Sequence, residues 1–459
     1  MSVRTKLALA AAAAAVLAAV PFEPAAAQTP ITPAPPSPYV NTTKCVQAAN
    51  ERATLKSGVS WAQSELNYTA LWRLGDRGEH QTIAVIDTGV SPVSAFSGRL
   101  LDGGDFVKSG GNGQDDCDGH GTVVAGLAAA QPDSTTGFAG VAPDARVLPI
   151  RQSSSYFGVK DAKPDSPGAS AGTTGSLASA IVYAVQRGAT VINISEASCR
   201  NPSEAADPRV QAAVDYAVAN RVVVVAAAGN VDQTTQCKQQ NVPGKSPVTL
   251  PTPAELHGVL AVGAVDRNGA PAAFSLSGRW VGVAAPGVDI ISTNPIVGST
   301  GQINEFINQA GVTSIQGTSF AAPYVAGLAA LVSERFPNLD ALGIISRIER
   351  TAEHPSDAGG RNDYVGYGTI DPEAALTAVL PGEGGSSPVQ RHGPSALPAA
   401  QPHPDHERNA RLVALIGTLG LFVLGVAAAI AVSTRRRRTA VVLQQATLRS
   451  GGGTARRGW

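Results

Sequence analysis

A chain of 459 residues exceeds one small domain, and its 43% hydrophobic content excludes wholesale disorder. Its 49 glycines and 32 prolines suit a loop-rich α/β enzyme with flexible linkers. Net charge is zero but uneven: seven arginines and no acid follow Val432, so this basic tail points to a membrane surface and not to nucleic acid.

The N-terminus, MSVRTKLALAAAAAAVLAAVPFEPAAAQ, sets Arg4 and Lys6 before an apolar run, Leu7 to Val20, and closes on Ala25-Ala26-Ala27. That layout predicts a secretory signal peptide over residues 1–27. Residues 28–38 are rich in Pro and Thr and read as extended, and 43–74 holds one or two short helices. From Gln81 short apolar strands alternate with helical stretches. Strands are expected at 82–90, 145–151, 189–195, 222–230, 258–265, 280–287 and 289–295, and helices at 123–131, 176–188 and 207–221. Fully apolar strands in strand–helix–strand order argue for a parallel sheet covered on both faces. The 151–176 connection is longer than an ordinary one. It reads as a loop that either gates a cleft or is simply flexible.

The stretch QGTSFAAPYVAGLAALV (316–332) reads as a buried helix opening on Ser319. Pro323 fits such a helix without losing a donor only in its first turn. Residues 381–411 form a Gly/Pro/Ser-rich linker. The uncharged LVALIGTLGLFVLGVAAAIAV (412–432) covers about 31 Å as a helix, matching the hydrocarbon core. Arg435 to Arg438 mark the cytoplasmic side, with 433–459 as the inner tail. The expected product is a single-pass type I protein of the cell membrane. Cys45, Cys117, Cys199 and Cys237 all fall in the exported part, an even number suited to two disulfides with three possible connectivities.

Four motifs sit at ends of these elements. AVIDTGV ends a buried strand on Asp87, GHGTVVAG starts a helix on His120, QGTSFAAP starts another on Ser319, and VVAAAGN ends a strand on Asn230. A serine hydroxyl becomes a nucleophile when a neutral imidazole takes its proton. The imidazole in turn needs a carboxylate to fix its tautomer. The resulting oxyanion needs donors, here the Asn230 amide and the Ser319 backbone N–H. The chemistry needs no cofactor and no metal. Asp115, Asp116 and Asp118 read as a solvated acidic loop rather than a calcium site.

These motifs, in the chain order Asp, His, Ser, resemble the subtilisin-like serine proteases. The resemblance runs from about Trp61 to Leu380, the expected peptidase domain. It implies a subtilisin-like α/β fold, Asp87, His120 and Ser319 as the triad, and Asn230 at the oxyanion. Ser195, Glu196 and Ala197 stand where the family carries its Ser-Leu-Gly substrate edge; Ala197 narrows the P1 wall and Glu196 adds a charge beside the cleft. Phe320 follows the nucleophile where many relatives have Met. The order of segments resembles the mycosins, membrane-anchored proteases of actinobacterial type VII secretion systems. That resemblance implies disulfides Cys45–Cys117 and Cys199–Cys237, polypeptide substrates, and a second role stabilising the secretion membrane complex with its other subunits. At about 33 residues, 28–60 is too short to fold alone, so it is expected to be a strap on the catalytic domain, not a removable inhibitor. The alternatives are a scaffold subunit whose catalysis is dispensable and a general cell-surface protease.

Overall fold

Every residue of the strand Thr82–Asp87 is buried, yet successive side chains enter different cores. Ile83 and Val85 join one hydrophobic cluster, Ala84 and Ile86 another. This period-two split is what a strand buried on both faces requires. The computed structural model describes residues 30–36, 38–45, 59–162, 170–232, 237–308 and 311–383. The expected signal peptide, nearly all of the linker, the 412–432 span and the basic tail lie outside the described residues. Among the described residues, no helix is long and apolar enough to cross a membrane.

The strands β1 (Thr82–Asp87), β2 (Gly104–Asp105), β3 (Arg146–Arg151), β4 (Val191–Ile194), β5 (Val223–Ala227), β6 (Val259–Val265) and β7 (Val281–Pro286) form one sheet. Its order is β7-β6-β5-β4-β1-β3-β2, and every pairing is parallel. Helices α1 (His120–Ala129), α4 (Thr318–Arg335) and α5 (Ala341–Thr351) bury side chains in the first cluster. Helices α2 (Thr174–Gln186) and α3 (Pro208–Ala219) fill the second. The chain leaves β1 for β3 on one side and returns to β4 on the other. A crevice opens at such a reversal, beyond the C-terminal strand ends.

Three expectations change. The 289–295 stretch contributes only Ser292–Thr293, paired with Gln302–Ile303 in a two-stranded ribbon outside the main sheet. The long connection after β3 is no plain loop. Its Ser154–Val159 segment pairs antiparallel with Tyr39–Asn41 of the N-terminal extension and with Ser170–Ala171. Of the acids before α1, Asp116 and Asp118 are internal struts, whereas Asp115 is exposed as expected of a solvated loop. Asp118, 8% exposed, accepts from the Ser154 hydroxyl and from the Ser155 N–H at 2.7 Å.

The extension is fastened along its described length. The Ile31 N–H donates to Gln186 Oε1 at 2.8 Å, the Thr42 N–H to the Tyr156 carbonyl at 2.9 Å, and Cys45 is bonded to Cys117. A second disulfide, Cys199–Cys237, sits in a small cluster with Leu276.

Candidate active site

Asp87 is the last residue of β1 and is fully buried. Its Oδ1 accepts the Thr88 N–H at 2.7 Å and lies 2.7 Å from His120 Nδ1. His120 opens α1 after Gly119, whose φ of 77° turns the chain into the helix. That helix approaches β1 closely because residue 121 is glycine. A Cβ there would sit 2.1 Å from the Gly89 carbonyl oxygen and 3.1 Å from Asp87 Cβ. Asp116 braces the same turn, accepting from the Gly119 and Thr122 N–H groups and from the hydroxyls of Thr88 and Thr122. Burial pushes its carboxyl up to about 6 against those bonds to Thr122.

Burial disfavours a charged imidazole. Here the Asp87 charge and hydrogen bond, followed by Glu196 and Asp116, prevail and raise His120 to about 9. The Phe320 ring packs on the imidazole with centroids 5.0 Å apart.

Ser319 is the second residue of α4 and is half-buried. Its hydroxyl makes no hydrogen bond to His120 in this structure, a looseness common in sites without substrate. Pro323 lies past the first turn, contrary to expectation, and leaves the Ser319 carbonyl without its helical donor. Ser195 Oγ fills that vacancy, donating to the Ser319 carbonyl at 2.7 Å while accepting from Asn193 Nδ2 at 2.9 Å. The proline therefore ties the substrate-edge stretch to the helix of the nucleophile.

Asn230 follows Gly229, whose φ is 101°. Its Oδ1 accepts both the Thr318 N–H at 2.9 Å and the Thr318 hydroxyl at 3.0 Å, which leaves Nδ2 as the free donor of the amide. Thr318 escaped the sequence reading, and Asp116 was read there only as a loop acid; the one available signal for Thr318 was its place between Gly317 and Ser319. Glu196 and Ala197 line one cavity with Gln152, Ser153 and Thr173. Asp87, His120 and Glu196 each offer an atom within 4.8 Å of the others. Of the three loop acids, Asp115 pairs instead with Arg151 at 2.9 Å.

The sequence pattern of the subtilase family matches residues 78–368. Mycosin-1 of Mycolicibacterium smegmatis is 41% identical over 379 residues, spanning 79% of this chain and 82% of that protein. Mycosin-1 of Mycobacterium tuberculosis is 43% identical over 371 residues, spanning 76% and 80%. The chain belongs to the mycosin family of subtilases. As a mycosin it is a serine protease of the subtilisin family. The solved structure of MycP1 from the ESX-1 type VII secretion system superposes with a TM-score of 0.71 at 39% identity, over 78% of this chain and 95% of that one. A chain in the intact ESX-5 inner membrane complex does so at 0.70 and 34%, over 88% and 97%.

Proposed function

We infer that this mycosin is an exported serine endopeptidase, held at the cell membrane by residues 412–432, that cleaves polypeptides for a type VII secretion system. Asp87 holds the His120 Nδ1–H and fixes the tautomer. His120 takes the Ser319 proton as Oγ attacks a scissile carbonyl, and later gives it to the leaving amine. The oxyanion is met by Asn230 Nδ2 and the Ser319 backbone N–H at the positive end of α4. The observation carrying this reading is the meeting of Asp87 with His120 at 2.7 Å beside an Asn230 amide anchored on Thr318, the residue before Ser319. The test is labelling of the full-length protein by a small fluorophosphonate. One modified residue, mapped to Ser319 and lost in Ser319→Ala, is expected; labelling elsewhere overturns the assignment.

A second role rests on a separate observation, the likeness to a chain of the ESX-5 inner membrane complex over 88% of this sequence. In that role the chain is also a structural subunit of its secretion membrane complex. Immunoprecipitation of the intact chain from detergent-solubilised native membranes should then bring down the other subunits of such a complex.

A further inference from the structure

The cleft carries more negative charge than its own cations balance. Glu196 follows Ser195, whose hydroxyl is anchored on the Ser319 carbonyl, so its carboxylate is held at the cleft and lines the cavity beside Gln152 and Thr173. It lies within 4.8 Å of atoms of both Asp87 and His120. Asp87 Oδ2, fully buried, has no hydrogen-bond partner among the described residues. Asp116 and Asp118 add two further carboxylates acting on the same imidazole. No lysine or arginine pairs with Glu196 among the described residues. Arg151, at the end of β3 beside β1, is already held by Asp115 and Asp105.

We propose that Glu196 is a specificity-determining residue that takes a lysine or arginine side chain from the non-prime side of the polypeptide substrate. This rests on the protease reading above. Burial, then the Asp87 charge, pushes the Glu196 carboxyl up, while the His120 charge favours its ionised form. An arriving ammonium or guanidinium relieves that repulsion and removes a negative neighbour from His120, so it favours the neutral base as well as binding. A divalent ion is a poorer occupant. It would have to compete for Asp87 Oδ1, which already accepts the Thr88 N–H and faces His120.

The experiment uses full-length protein in detergent and paired peptidyl diphenyl phosphonates, with lysine or norleucine at one of the four non-prime positions. Inactivation rates are compared for wild type, Glu196→Gln and Glu196→Asp. Wild type should favour lysine at one position by about fivefold or more, the size of a partly exposed charge pair. Glu196→Asp should keep a preference, and Glu196→Gln should lose it. No lysine preference in wild type, or an equal one in Glu196→Gln, overturns the proposal. If Glu196→Gln cannot be labelled even by a small fluorophosphonate, salt decides: a preference carried by Glu196 shrinks towards about 1 M salt, and a constant one refutes it. Failure of every probe on wild type, fluorophosphonate included, defeats the protease reading and this proposal together. Labelling without charge preference defeats the proposal alone.

Discussion

An asparagine can serve an oxyanion only if its amide faces one way. Thr318 spends its N–H and its hydroxyl on Asn230 Oδ1, which fixes that direction. Replacing Asn230 by Ala should lower kcat by about 10²–10³ with little change in KM, the magnitude known for such a donor in subtilisin. Asn230→Asp should lose as much, because an acceptor replaces the donor; near-normal kcat in either variant removes Asn230 from the site. His120 gives the second residue-scale prediction. A base must be neutral, so kcat/KM rises as pH passes its pKa, and the lift to about 9 moves that rise to the alkaline side of the usual 6.5. Stability runs the other way. The folded state favours His120 protonated, so this contribution is full below about 6.5 and lost as pH climbs towards 9. Between those values activity should increase while denaturant stability falls, and a flat activity profile from about pH 6 to 10 would contradict the role.

At the scale of elements, the sheet was legible because its strands are short, apolar and alternate with helices. Six of the seven strands fall within an expected strand; the exception is the two-residue edge strand β2, too short to show a pattern. The 289–295 stretch carries the same apolar signal, but only two of its residues enter a ribbon, because that signal does not say which sheet a strand joins. The pairing of Tyr39–Asn41 with Ser154–Val159 was beyond reach, since three residues meet a partner more than a hundred positions away. The site divides in the same manner. Asp87, His120, Ser319 and Asn230 could be read from motifs at element ends, whereas the closeness of Glu196 to Asp87 and His120 depends on how β4 continues past Ser195. The extension leads to a testable cost. Expected to be too short to fold alone, it is tied through Cys45 to Cys117, three residues before His120. Cys45→Ser should therefore cost about 2–4 kcal/mol in denaturant unfolding and expose the extension to added protease. Unchanged stability together with an uncut extension would show that the hydrogen bonds of Tyr39–Asn41 suffice.

At the scale of the whole molecule, the question is whether proteolysis and membership of a secretion complex are one property or two. Ser319→Ala removes one hydroxyl, and that hydroxyl makes no hydrogen bond to His120 in this structure, so the fold has little to lose. The Ser319 carbonyl that anchors Ser195 belongs to the backbone and survives the change. Proteolysis should disappear but for a small residue over the uncatalysed rate, because the nucleophile acts as a unit with its base. If the chain is also a structural subunit, cells carrying Ser319→Ala should still assemble the membrane complex and export its substrates, leaving one substrate unprocessed. Deleting the protein, or the segment from Arg411 onward, should instead lower the abundance of the complex, since the expected membrane anchor lies in that segment. Native gels of solubilised membranes, run beside an assay of substrate processing in the culture medium, separate these outcomes. Loss of the complex in a strain whose Ser319→Ala protein is folded and abundant would bind assembly to catalysis and defeat the two-role reading.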